Sequence, residues 1–229
     1  LAGVLALWIV FREFGIRFKI VNLSSTKNYL SKGLIIFLSE ISGNLYGQGT
    51  IFILGLVSTD KMVGYYSIGE KLVKIIASLS QPIAQSVYPY ISSKSKKEIL
   101  FIFNKWKKFV IISVFLFLTL ISLPLNFIYF HLVKNYNFEL QITLIILIIG
   151  IFFTILNVLK QPFIYALHLD KLNTIMYAYT GFSFIPLCFL LSHYFIMIGT
   201  SISFLYVELV IFFWGLYIIK AGEKYGRKT

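Results

Sequence analysis

Two stretches of this chain, Phe109 to Phe130 and Leu140 to Leu159, run for about 20 residues each without a charge, enough helix to cross a ~30 Å hydrocarbon core. Lipid cannot satisfy an exposed backbone, so a spanning segment must be a helix or a strand of a closed barrel. The short alternating strands of a barrel do not occur in the sequence. Composition extends the argument to the whole chain. Only 13% of the 229 residues are charged, 58% are hydrophobic, and mean hydropathy is +0.83. A soluble domain carries about 25% charged residues, and the charge present here could not cover a water-soluble surface. The expected fold class is all-α, a polytopic transmembrane helical bundle.

The hydropathy pattern predicts six spans, at 33–57, 62–90, 109–130, 140–168, 174–194 and 199–219. Residues 1–11 are apolar but too short to cross, and positive charge follows them (Arg12, Arg17, Lys19), the reverse of a signal peptide. They are expected to be the end of a truncated span. The organisation then reads as 1–11 span end, 12–32 inter-lobe loop, 33–219 six-helix lobe and 220–229 basic tail, a carboxy-terminal portion of a longer protein. The lone cysteine, Cys188, falls inside an apolar span and is expected to act as a small buried hydrophobe.

The net charge of +12 raises nucleic acid as a partner. Position excludes it. Most of the 21 basic residues fall on alternate connections: the 12–32 loop, the 91–108 segment, Lys171 and the tail. That is the positive-inside distribution of a membrane protein, and it places those connections and the carboxy-terminus in the cytoplasm. A nucleic-acid surface would need aromatics interleaved with exposed basic residues. Here the aromatics lie in the spans.

Charges inside a bilayer cost roughly 2.5–3.5 kcal/mol each at a helix centre and normally face a bundle interior or an aqueous cavity. In span 62–90, Ser67, Glu70, Lys74, Ser78, Gln81 and Gln85 recur every three or four residues, on one helical face. Glu70 and Lys74 have the favourable order for an i,i+4 ion pair. Pro82 removes a backbone hydrogen bond and predicts a kink. Glu40, Asn44 and Gln48 form a second stripe beside Gly43 and Gly47. Asn157, Lys160, Gln161, Tyr165 and His168 form a third, and Ser201 with Glu208 a weaker fourth. The candidate cavity residues are therefore Glu40, Asn44, Gln48, Glu70, Lys71, Lys74, Gln81, Gln85, Lys160 and Gln161. Glu40 and Glu70 are the candidates for proton coupling. Competing roles are a structural ion pair for Glu70–Lys74, snorkelling for Lys71, interhelical bonding for the amides and an interfacial position for His168. No catalytic constellation, metal-ligand spacing or phosphate-cradling loop occurs, so neither an enzyme nor a cofactor is expected.

The run Phe37-Leu38-Ser39, Leu45-Tyr46, Leu54-Gly55, Val63-Gly64-Tyr65-Tyr66-Ser67 and Glu70-Lys71-Leu72 resembles the first helix pair of the carboxy-terminal lobe in bacterial polysaccharide flippases. Gln81-Pro82, Val87-Tyr88-Pro89 and Ile91-Ser92 continue the resemblance, and Ile198-Gly199-Thr200 with Glu208 resemble the last span. These are the O-antigen and capsule repeat-unit transporters of the multidrug/oligosaccharidyl-lipid/polysaccharide exporter superfamily. The resemblance implies two six-helix lobes rocking about a central cavity in the bacterial inner membrane. It implies a polyprenyl-pyrophosphate-linked oligosaccharide as substrate, membrane lipids and an amino-terminal lobe as partners, and contact with polysaccharide polymerase machinery. In that setting Lys71, Lys74 and Lys160 would meet pyrophosphate, and Asn44, Gln48, Gln81 and Gln85 would bond sugar hydroxyls. The alternatives are a drug or cation exporter of the same superfamily and a membrane enzyme of polysaccharide assembly. The three intramembrane lysines favour an anionic substrate over the first. The short outward connections, about nine residues at most, disfavour the second.

Overall fold

In the computed structural model, residues 11–13, 30, 34, 37, 41, 43, 46–133 and 138–225 are described, the side chains as far as residue 222. The chain divides into two compact units, Leu1–Ile36 and Phe37–Thr229. In the first, Phe11, Arg12, Glu13, Leu30 and Leu34 are helical.

The second unit holds α1 (Tyr46–Val57), α2 (Asp60–Ser78), α3 (Ser80–Ser92), α4 (Lys96–Leu132), α5 (Phe138–Ala166) and α6 (Asp170–Tyr225). No strand occurs among the described residues, and the chain is an all-α helical bundle of a multi-pass membrane protein. Helices α4, α5 and α6 are each long and apolar enough to cross a bilayer. The surface agrees with lipid as solvent. Leu120 and Leu123 on α4 are 77% and 78% exposed, and Phe101, Phe109 and Phe127 stand out beside them. In water such a patch would drive aggregation.

Helix α5 is the central element, packed against every helix from α2 to α6. Its Leu140, Leu144, Leu147, Ile151, Ile155 and Leu159 recur at three- and four-residue steps and are all buried. Lipid tails are as apolar as these side chains, so their contacts contribute through close packing rather than through release of water. Close packing requires small residues where backbones approach. A side chain at Gly150 would meet the Phe204 ring on α6 at 2.6 Å. Elsewhere the Tyr129 hydroxyl of α4 donates to the Tyr65 carbonyl of α2 at 3.1 Å.

Several breaks follow directly from the sequence. Before Pro82, where the sequence predicts a kink, the helix is interrupted. Pro82 cannot donate to the Ser78 carbonyl, α2 stops at Ser78, and the Leu79 N–H turns back to the Ile76 carbonyl at 3.2 Å before α3 resumes at Ser80. Helix α4 starts with a capping box. Ser95 accepts from the Glu98 N–H, and the Glu98 carboxylate accepts from the Ser95 N–H at 2.9 Å. These bonds hold the Glu98 carboxyl below its ordinary range, chiefly through the Ser95 backbone. The carboxylate's help to the cap is thus complete above the ordinary Glu pKa and lost as pH falls through the lowered value.

Two other breaks, after residue 168 and within 195–198, fall between expected spans, but their backbone geometry was not visible in the sequence. After α5 the chain takes a Schellman turn: the His168 N–H bonds the Tyr165 carbonyl, the Leu169 N–H bonds the Ile164 carbonyl, and His168 itself has φ of 56°. Glycine is the usual residue there. Helix α6 is two antiparallel arms joined at Ile196, whose φ of 46° and ψ of −119° are non-helical. The reversal is tight. The Ser192 and Thr200 hydroxyls meet across it at 2.8 Å, and a side chain at Gly199 would strike the Leu191 carbonyl oxygen at 2.0 Å.

Because the clashing atom at Gly199 is backbone, Gly199→Ala is expected to cost about 3 kcal/mol, the upper end for overpacking. His168→Gly is expected to stabilise by about 1 kcal/mol through relief of the left-handed backbone. Thermal unfolding of the detergent-solubilised protein checks both signs.

Candidate functional site

Helices α2 and α3 carry the polar stripe, and burial along them shows how it is presented. Ser80, Ala84 and Ile91 form the buried ridge of α3, which packs on α5. To one side of that ridge Ile75, Leu79 and Ile83 are exposed. On the other side Ser78, Gln81 and Gln85 are exposed. The kinked pair therefore shows two unlike surfaces, one suited to lipid and one that lipid would not solvate.

At the α2 end of the polar flank, Glu70 is buried, 3% exposed, and its carboxylate pairs with Lys74 at 2.9 Å. Lys74 is partly exposed and also donates to the Gly47 carbonyl of α1 at 3.0 Å. The ammonium thus ties α1 to α2 while retaining an open side. Gln48, next to that carbonyl, and Lys71 are exposed. Glu40 and Asn44 lie outside the described residues.

Lys160 and Gln161 are placed differently from the rest of the expected set. Lys160 is 4% exposed and faces the α5–α6 interface. Its ammonium donates to Asn157 Oδ1 at 2.9 Å, to the Ile211 carbonyl at 2.9 Å and to the Phe212 carbonyl at 3.2 Å. Asn157 in turn donates to the Glu208 carboxylate at 2.8 Å and to the Glu208 carbonyl at 3.0 Å. Expected as an open cavity cation, Lys160 is instead a buried charge with its donors in use; the reason is Glu208 and the helix carbonyls across the interface. Gln161 is partly buried and donates to the Tyr177 hydroxyl at 2.6 Å, an α5–α6 bond rather than a free amide.

Of the expected residues, the fold brings together Glu70, Lys74 and the start of α1 on one side, and Lys160 with Asn157 on the other. Glu208 was the residue that sequence reasoning ranked too low. Its signal was present as an acid within an apolar span, as costly there as Glu40. What the sequence did not indicate is that its partners lie 51 residues away on α5. Gly215 is the other omission: the Lys160 side chain crosses the backbone there, where a Cβ would meet Nζ at 2.2 Å.

These features define a polytopic helical membrane protein with buried polar side chains bonded across the α5–α6 interface and a polar flank at the surface of α2 and α3. Residues 1–95 match the family described as "Polysaccharide biosynthesis protein". The chain is also 34% identical over 92 residues to a protein of Escherichia coli (strain K12) provisionally named an O-antigen transporter; the match spans 40% of this chain and 22% of that protein. The resemblance carried by residues 37–92 falls within the matched family segment and is borne out there. The last-span resemblance at Ile198–Thr200 and Glu208 lies beyond it. No solved structure shows a significant match.

Removing one member of the buried Lys160–Asn157–Glu208 chain leaves its neighbours without a hydrogen-bond partner. Lys160→Met is therefore expected to cost about 1–3 kcal/mol, with most of it recovered in Lys160→Met/Glu208→Gln. Gly215→Ala should shift stability in the same direction by displacing Lys160. Melting temperatures of the four proteins, wild type included, check the pattern.

Proposed function

We propose that this chain forms one lobe of a transporter that carries a polyprenyl-pyrophosphate-linked oligosaccharide across the bacterial inner membrane by alternating access. The observation that carries the proposal is the polar flank of α2 and α3, which lies inside the segment matching the polysaccharide biosynthesis family. A pyrophosphate with attached sugars cannot enter hydrocarbon unaided. It needs a wall of hydroxyls and amides with cationic points, and Ser78, Gln81, Gln85, Lys71 and Lys74 supply one along a single flank. The E. coli relative's name points to the same cargo class.

In this proposal Lys74 and Lys71 meet the pyrophosphate and Gln81, Gln85 and Gln48 bond sugar hydroxyls. Glu70 couples transport to protonation: its buried carboxylate is held by Lys74, and an anionic substrate drawing Lys74 away would leave it uncompensated. Glu40 and Asn44, in the sequence stripe that leads to Gln48, are proposed to serve the same cargo. The Pro82 kink supplies the bend about which the flank opens. A second lobe completes the cavity, the basic connections and the carboxy-terminus face the cytoplasm, and the flipped product passes to polysaccharide polymerase machinery.

The test is complementation of a flippase-null strain with the full-length protein, read as surface polysaccharide. Lys74→Ala, Glu70→Gln and Glu40→Gln are each expected to reduce export while membrane levels of the protein stay normal. Wild-type export in all three would remove the flank from the transport path.

A further inference from the structure

On a different face from the polar flank, α4, α5 and α6 enclose a cavity of about 440 Å3. Four lysines reach it: Lys107 and Lys108 from α4, Lys160 from α5 and Lys220 from α6. No carboxylate is among its lining residues. Two of the four ammonium groups are already engaged, Lys160 as described and Lys107 with Asn104 Oδ1 at 2.8 Å. Lys108 and Lys220 are exposed at the mouth. The deeper walls are apolar, from Val110, Leu159 and Leu216, with Trp106 beside them.

The depth of the cavity follows from the sequence. The charge-free run of α4 begins at Phe109, directly after Lys107 and Lys108. The charge-free run of α5 ends at Leu159, directly before Lys160. The apolar stretch after Glu208 on α6 ends at Ile219, directly before Lys220. Three helices thus change from hydrocarbon-compatible to charged at one level, and the cavity sits at that level. Trp106 is the type of residue that favours it.

We infer that this cavity is a binding site for one anionic phospholipid, its phosphate between Lys108 and Lys220 and an acyl chain along the apolar walls between α4 and α6. Several like charges held around one cavity without a carboxylate call for an anion. Free phosphate would satisfy the lysines and leave the apolar walls unused, whereas a phospholipid matches both and is already the surrounding solvent. Basic pockets between membrane helices suit such headgroups. The inference does not depend on what the protein transports.

The test uses the full chain carrying Trp8→Phe and Trp214→Phe, which leaves Trp106 as the one tryptophan, in phosphatidylcholine vesicles. Phosphatidylglycerol with brominated acyl chains is expected to quench Trp106 fluorescence at lower mole fraction than brominated phosphatidylcholine. Lys108→Gln and Lys220→Gln should each reduce that preference about fivefold, and together about 25-fold. Lys96→Gln/Lys97→Gln, at the same end of α4 but outside the cavity, should leave it intact. Equal quenching by the two lipids would overturn the inference, as would an unchanged preference in the double variant. Loss of quenching on adding inorganic phosphate at constant ionic strength would assign the lysines to a free anion and overturn it as well.

Discussion

The Lys160 ammonium is the contact on which the packing of the lobe turns. It sits on the central helix, its donors are used by Asn157 and two α6 carbonyls, and it reaches them only because residue 215 has no side chain. A buried charge of this kind is weak evidence of net stability, since an apolar pair of equal volume could do as well. Its consequence is specificity. Slide α6 along α5 by one turn and Lys160 faces ordinary helix surface, Asn157 loses Glu208, and Phe204 no longer meets Gly150. Apolar contacts alone would not select one register, because leucine against lipid and leucine against leucine differ little.

That dependence explains how much of the molecule the sequence disclosed. Features set within one helix were legible. The charge-free runs gave the long apolar helices, Pro82 gave the break at Leu79, and the four-residue spacing of Glu70 and Lys74 gave their ion pair. Features set between helices were not. Lys160 carries the same local signature as Lys74, a lysine in an amide-bearing stripe, yet one has an open side and the other is enclosed. The difference lies in Glu208 and Gly215, distant in sequence and silent about their partner. Local backbone was obscured for another reason. His168 and Ile196 have positive φ that glycine would have announced, so the positions of these turns were legible but their backbone conformations were not.

The polar flank is a different case, for its members bond little within the lobe. Gln81 and Gln85 are exposed, and Ser78 returns its hydroxyl to the Ile75 carbonyl one turn back. A stripe meant only to hold helices together would be buried, as Asn157 is. Exposure of amides on one flank, with Ile75, Leu79 and Ile83 exposed on the other, divides the surface of α2 and α3 between two solvents.

The two polar systems differ in how firmly their lysines are held. Lys74 can shift, because it is partly exposed and its bonds are to one carboxylate and one backbone carbonyl; Lys160 is held by three acceptors. A lobe that must move as a body needs this asymmetry. The enclosed charge fixes α5 against α6, and the open charge remains available at the surface, where an incoming anion would compete for it.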